Sequence, residues 1–232
     1  MEAEYIDHMG TDLTVVNAAR VSFDKESDWE VDWNDGLVHM SDIAWDDGLV
    51  GKVSEKDRKL IQYLAKHKHW TPFSHPQITF RYTVPIVVAR QEFKHTIGFS
   101  RNEVSRRYVD DTPEFYEPKS WRSRPEGSIK QGSGLDVDAQ NQFDWLYKEG
   151  CGTMREIYFQ MIESGIAPEQ ARMILPQGMY TSYYVTGSLA AFARMVKQRT
   201  DDNAQVEIQE LAKQVSDIIQ PLFPESWGAL LN

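Results

Sequence analysis

Cysteine is nearly absent: Cys151 is the single thiol in 232 residues. No disulfide can close within the chain, and a reducing compartment is expected. Long apolar runs are missing too. No stretch approaches a membrane span and no apolar leader opens the sequence, so a cytoplasmic protein with no membrane partner is expected. Positive charge is scarce, with 25 Lys and Arg against 35 Asp and Glu and a net charge of -10. That balance argues against a general coat for nucleic acid. There is no GxxxxGK[ST] phosphate loop and no GxGxxG after a strand, and the "GSG" at 132–134 sits in a polar loop. An anion must therefore be caught in a local pocket.

Hydrophobic residues at 41% and aromatics at 12%, including seven Trp, supply enough apolar surface to fold. The length fits one domain over 1–232. Residues 11–23 read as a helix or a strand-helix edge, and the acidic segment 24–50 as an irregular surface excursion. In "SEKDRKLIQYLAKH" (54–67), Ser54 stands three before Asp57 like a capping box, and Leu60, Ile61 and Leu64 form a helical stripe. "QITFRYTV" (77–84) alternates as a half-buried strand, after which Pro85 opens a helix predicted to run to about His95. Residues 110–136 read as a long surface loop. A stripe from Phe143 to Met161 predicts a long helix over 142–164, bent at Gly150 and Gly152 and stopped by Gly165. Helices are also predicted over 167–175, 188–199 and 203–220. The fold class expected is α+β: a mixed or antiparallel sheet packed with long helices, helix-rich in its C-terminal half.

One stretch opposes the net charge. "RQEFKHTIGFSRNEVSRRY" (90–108) holds Arg90, Lys94, His95, Arg101, Arg106 and Arg107, interleaved with Ser100, Asn102, Glu103 and Ser105. The bland reading is a capping box at Ser100 and Glu103 beside solvated surface charge. Against it, the run follows a strand and a short helix that can present a loop, and Arg172 and Arg199 recur at the ends of other helices. Arginines grip phosphate through a bidentate fork, while Ser, Asn and Gln add neutral donors. Glu103 suits a sugar hydroxyl or a ring N–H instead. A second cluster, "HKHWTPFSH" (67–75), brings His67, His69 and His75 close in sequence. On a strand, alternate His residues share a face and can ligate zinc, which keeps a metal-dependent nucleotide hydrolase open. A non-catalytic RNA-binding module using Arg101, Arg106, Arg107 and Tyr108 is the third reading. Cys151 lies within a helical stripe, as a small core residue does.

The segment 90–108 resembles the signature "RQxFRHR…NExSxRY" of the flavin-dependent thymidylate synthases. "DLTVVNAARVSF", "HWTPFSH", "EQARMILP" and "RTDDNAQ" extend the likeness through the chain in the family's order. Lys94 and Thr96 replace the outer arginines of that family's Arg-His-Arg, and eight residues rather than seven separate Thr96 from Ser105. Ser74, Ser188, Arg194 and Asn203 also depart from the family's usual residues.

The resemblance implies conversion of deoxyuridylate (dUMP) to thymidylate (dTMP). Methylenetetrahydrofolate donates the carbon, NADPH reduces FAD, and no cysteine acts as nucleophile. It implies a homotetramer with active sites shared between subunits, taking dUMP and folate as small-molecule partners and no nucleic acid. Arg199 would be the catalytic residue at the uracil ring. Deoxyuridylate would meet Gln91, Glu92, Phe93, Lys94, Glu103, Val104, Ser105, Arg106, Arg107, Arg172 and Arg199. FAD would meet Ser22, His69, Thr71, Lys94, His95, Thr96, Glu103, Ser188, Arg194 and Asn203. No metal is implied.

Overall fold

Ile78, Phe80, Tyr82 and Val84 are fully buried, while Thr79, Arg81 and Thr83 between them face outward. This period of two makes Gln77–Pro85 (β2) the centre of the molecule. The computed structural model describes residues 1–30, 52–126 and 132–232. Within them one four-stranded antiparallel sheet has the order β1-β2-β4-β3, with β1 at Glu2–Met9, β3 at Phe99–Glu103 and β4 at Tyr180–Ser188. The helices are α1 (Asp12–Arg20), α2 (Glu55–Lys66), α3 (Ile86–Glu92), α4 (Gln140–Glu163), α5 (Pro168–Ala171), α6 (Leu189–Arg199), α7 (Val206–Leu222) and α8 (Pro224–Leu231). The expected α+β fold with a helix-rich C-terminal half is the observed one, and its sheet is antiparallel throughout.

The apolar faces of α1, α2, α6, α7 and α8 close on one side of the sheet. Val15, Ile61, Phe192, Met195, Leu211, Val215 and Trp227 are each wholly or almost wholly enclosed there. Removing the side chain of one such Phe or Leu costs about 2–5 kcal/mol. The opposite side of the sheet is polar: Thr79 and Thr186 share a hydroxyl bond at 3.0 Å, and Arg81 donates to Ser182 at 3.1 Å. Ser54 caps α2, accepting from the Asp57 N–H at 3.1 Å. Asp12 reaches across to the first turn of α8, where its two carboxylate oxygens accept from the N–H groups of Glu225 and Ser226, each at 2.9 Å. These are donors no helix can satisfy internally.

Several boundaries differ from expectation. α3 stops at Glu92, where the chain tightens into a turn with the His95 N–H on the Glu92 carbonyl at 3.0 Å, and the Arg101 side chain also donates to the carbonyls of Glu92 and His95. Ser100 and Glu103 lie in β3, which pairs with β4, so they cap no helix. α4 continues through Gly150 and Gly152. It ends where Gly165 takes φ +81 and the Ile166 N–H returns to the Met161 carbonyl at 3.0 Å. The helix expected over 167–175 is one turn, followed by a 3-10 turn at Arg172–Ile174. Most of 24–50, and 127–131 of the long loop, lie outside the described residues. Trp29 packs half-buried against the core.

Candidate functional site

The chain leaves α3 through an interior ion pair. Glu92 is fully buried and accepts from Arg101 Nε at 2.8 Å, from Arg101 Nη2 at 2.5 Å and from the Tyr183 hydroxyl at 3.2 Å. The Arg101 guanidinium lies 5.5 Å from the Phe93 ring centre and 4.8 Å from that of Phe99, and it donates again to the His95 carbonyl at 2.7 Å. Such a pair is tolerable in the interior because its hydrogen-bonding groups are matched. Glu92 was expected at the nucleotide, but its carboxylate is spent inside the protein. Arg101 likewise belongs to the scaffold rather than to a nucleic-acid surface. Phe93 packs edge-on against Tyr183 at 5.0 Å.

This clamp fixes the turn 93–98, which carries Lys94, His95 and Thr96. His95 is only 7% exposed. Burial first, and then the cations Arg199, Arg101 and Arg194, push its pKa down from 6.5 to about 4, so the ring is neutral at pH 7. Its Nε2 therefore accepts from Arg199 Nε at 2.8 Å, while Arg199 Nη2 donates to the Gln91 carbonyl at 2.9 Å. Arg199 ends α6 but is half-buried and doubly anchored, unlike a solvated helix-end charge. Burial lowers its pKa from 12.5, with Glu92 opposing. It remains a cation at neutral pH.

Gln91, Arg199, Asn203 and Gln205 line a cleft of about 630 Å³, together with Gln198 and Gly132 of the long loop, a volume in the range of small-molecule sites. Two further candidates join the turn 93–98. Arg194 donates to the Ile97 carbonyl at 2.6 Å. Ser188 is 5% exposed, caps α6 through the Ala191 N–H at 3.2 Å, and gives its own N–H to Gly98 at 3.1 Å. Lys94 and Thr96 are exposed on the turn.

Among the described residues, the remaining candidates make no hydrogen bond to the cleft residues. Ser105, Arg106 and Arg107 form the turn after β3. There Arg107 Nε reaches Ser105 Oγ at 3.4 Å, and Arg106 donates to the Asp111 carbonyl at 2.6 Å while its guanidinium stands 5.8 Å from the Tyr158 ring centre. Val104 beside them is exposed, and Glu103 accepts from the Thr181 hydroxyl at 2.7 Å. Arg172 is exposed in its 3-10 turn. Ser22, His69 and Thr71 are exposed in the turns after α1 and α2. No hydrogen bond or ion pair among the described residues joins these two groups to the cleft. His67 caps α2 rather than sitting on a strand, its ring is 6.5 Å from that of His69, and no cluster of three or more metal-binding side chains occurs among the described residues.

The sequence profile of the "Thymidylate synthase complementing protein" family matches residues 4–225. The chain belongs to the flavin-dependent thymidylate synthase family. It is 34% identical over 229 residues to the flavin-dependent thymidylate synthase of Thermosipho africanus, covering 98% of this chain and 89% of that one. It is 32% identical to the Thermus thermophilus enzyme of that name, covering 97% and 73%. Its fold is similar to the crystal structure of a UMP/dUMP methylase PolB from Streptomyces cacaoi bound with 5-Br dUMP, with TM-score 0.79, 29% identity and coverage of 98% and 93%. Within the signature of this family, Glu92 stands at the variable position of "RQxFRHR" and its partner Arg101 lies on β3, in the stretch that is one residue longer than the signature's. Gln205 and Gly132 were not foreseen as lining residues. The position of Gln205 at the start of α7, one tight turn after Arg199, is the signal that could have found it.

Proposed function

We propose that this member of the flavin-dependent thymidylate synthase family methylates deoxyuridylate to thymidylate, with Arg199 as the group that stabilises negative charge on the uracil ring. The observation that carries this reading is the anchoring of Arg199. Its Nε and Nη2 are held by His95 and by the Gln91 carbonyl at the rim of the cleft. Nη1 and the second N–H of Nη2 make no hydrogen bond among the described residues, so donors remain on an anchored cation that needs no reorganisation when ring charge develops. Ser105, Arg107 and Arg172 suit the nucleotide phosphate, with Arg106 beside them. Glu103, held by Thr181, suits a sugar hydroxyl or a ring N–H.

FAD fits the turn 93–98 chemically. Lys94 and Arg194 are exposed cations for an anionic linker, and Ile97, 73% exposed, offers apolar surface to a flat ring. His95, Thr96 and Asn203 border the same region, and Ser22, His69 and Thr71 form a second polar group for this cofactor. When bound and reduced, FAD would supply the hydride that completes the methyl group, with NADPH as the reductant and methylenetetrahydrofolate as the carbon donor. Cys151 takes no part: it is buried on α4, and burial raises its thiol pKa.

A homotetramer with shared active sites would let the three residue groups meet at one site. It also accounts for α4, where Cys151 and Tyr158 are the buried residues among the 24 of the helix while Trp145 and Leu146 stay exposed. No described helix is long and apolar enough to cross a membrane. With its lone thiol, the protein fits a cytoplasmic setting.

The test is Arg199→Ala. It should yield a folded, yellow protein that oxidises NADPH but forms thymidylate at least about a hundredfold more slowly. Normal thymidylate synthesis by that variant rules out the role given to Arg199. A colourless wild-type protein that forms no thymidylate rules out the function.

A further inference from the structure

A chain of hydrogen bonds runs from the long loop to the cleft, and charge dictates its direction. Arg122 Nη2 donates to both oxygens of Glu207, at 2.7 and 2.9 Å, and Arg122 Nε donates to Ser133 of the same loop at 2.8 Å. Burial disfavours charge on Glu207, yet hydrogen bonds from Arg122 and Gln205 outweigh it and hold the carboxyl below its ordinary pKa. An ionised carboxylate can only accept. The Gln205 atom that meets Glu207 at 2.8 Å must therefore be its NH2 group. That leaves the Gln205 carbonyl to face Gln91, so the Gln91 atom 2.6 Å away must also be NH2. The same NH2 reaches the Val87 carbonyl at 3.4 Å. Both amides are thus oriented by the chemistry of their neighbours, whichever way they are drawn.

We propose that Arg122, Glu207 and Gln205 are positioning residues that present the Gln91 side-chain carbonyl, and not its NH2, to the nucleotide, so that the site selects a hydrogen-bond donor on the nucleoside. This deepens the reading of the cleft as the deoxyuridylate site and rests on it. At neutral pH the phosphate is mostly a dianion that can only accept, so Gln91 meets the nucleoside. Two groups of deoxyuridylate can supply the donor: the imide N–H of the ring and the 3′-hydroxyl of the sugar. Arg199 bonds to the main chain of Gln91 itself, so the selecting carbonyl lies on the residue that also fixes the ring-stabilising cation. None of the three positioning residues needs to touch the nucleotide.

The experiment measures binding of dUMP, dCMP and 2′,3′-dideoxy-UMP to the holoenzyme by calorimetry. dCMP lacks the imide N–H and keeps the hydroxyl; the dideoxy nucleotide does the reverse. Wild type should disfavour one of them by about tenfold or more, since a buried carbonyl left without its donor costs about that much, and the disfavoured analogue identifies the donor. Glu207→Gln, which lets both amides turn over, should reduce that ratio to within about threefold. Gln205→Leu leaves the Arg122–Glu207 pair intact, should do the same, and carries the test where Glu207→Gln does not fold. Wild-type ratios in Gln205→Leu, or equal weakening for all three nucleotides, overturn the inference while the function stands. Equal affinity of wild type for all three also overturns it. A wild-type protein that binds no dUMP removes the function and this inference together.

Discussion

Residues 91–101 and residues 104–108 are both cationic, yet their charges are held in opposite ways. In the first, Arg101 lies against two aromatic rings and is locked to Glu92, and Arg199 is drawn in by His95 and Gln91. In the second, Arg107 is exposed and bonds to the Ser105 hydroxyl of its own turn, while Arg106 is half-buried near Tyr158 and bonds to the Asp111 carbonyl just beyond it. The first arm is pre-organised by its own chain and the second is presented outward. One sequence signature thus serves two purposes, a fixed wall and an open grip.

Breaking the wall should have the largest effect. Glu92→Ala leaves Arg101 buried and unpaired, which costs about 3–5 kcal/mol; a thermal melt should show a drop of many degrees, and a drop no larger than that of a surface variant contradicts the clamp. An intermediate effect is expected from pH. His95 has a folded pKa of about 4 against 6.5 when unfolded. As pH falls through that window the unfolded chain takes up a proton that the folded one refuses, so stability falls. All three charges that depress it, Arg199, Arg101 and Arg194, are cations. His95→Gln keeps an acceptor for Arg199 and removes the titration, so its melting temperature should change less than that of wild type between pH 6.5 and pH 4.5. Identical pH slopes refute the assignment. The smallest effect on stability belongs to the open grip: Arg107→Ala should alter it by under about 0.5 kcal/mol while weakening dUMP binding tenfold or more. A destabilised Arg107→Ala, or one with unchanged affinity, erases the contrast between the two arms.

Periodic elements were legible in the sequence. β2, α2, α6 and α7 each carry an unbroken apolar stripe at the spacing of their structure. β4 was not read because its inward positions include Thr181 and Gly187, which interrupt the apolar alternation. β1 buries only Ala3, and β3 is a short edge strand held by its pairing with β4. α8 also went unread, although Pro224 marks its first turn and its Trp227 is fully enclosed. At the site, the family signature pointed to Gln91, His95 and Arg199, which the fold does bring together. It could not point to Glu92 and Arg101 as partners, because nothing local links a helix-end acid to a strand cation nine positions on. Arg122 and Glu207 are 85 positions apart and meet only once the long loop has folded over α7.

The bond from Asp12 to Ser226 spans 214 positions. Closing a loop of that size costs roughly 5 kcal/mol in chain entropy, and the closure cannot begin until residue 226 has been synthesised. Until then water holds the Asp12 carboxylate and the seat of Trp227 stays open, so the core can seal only after α8 has left the ribosome.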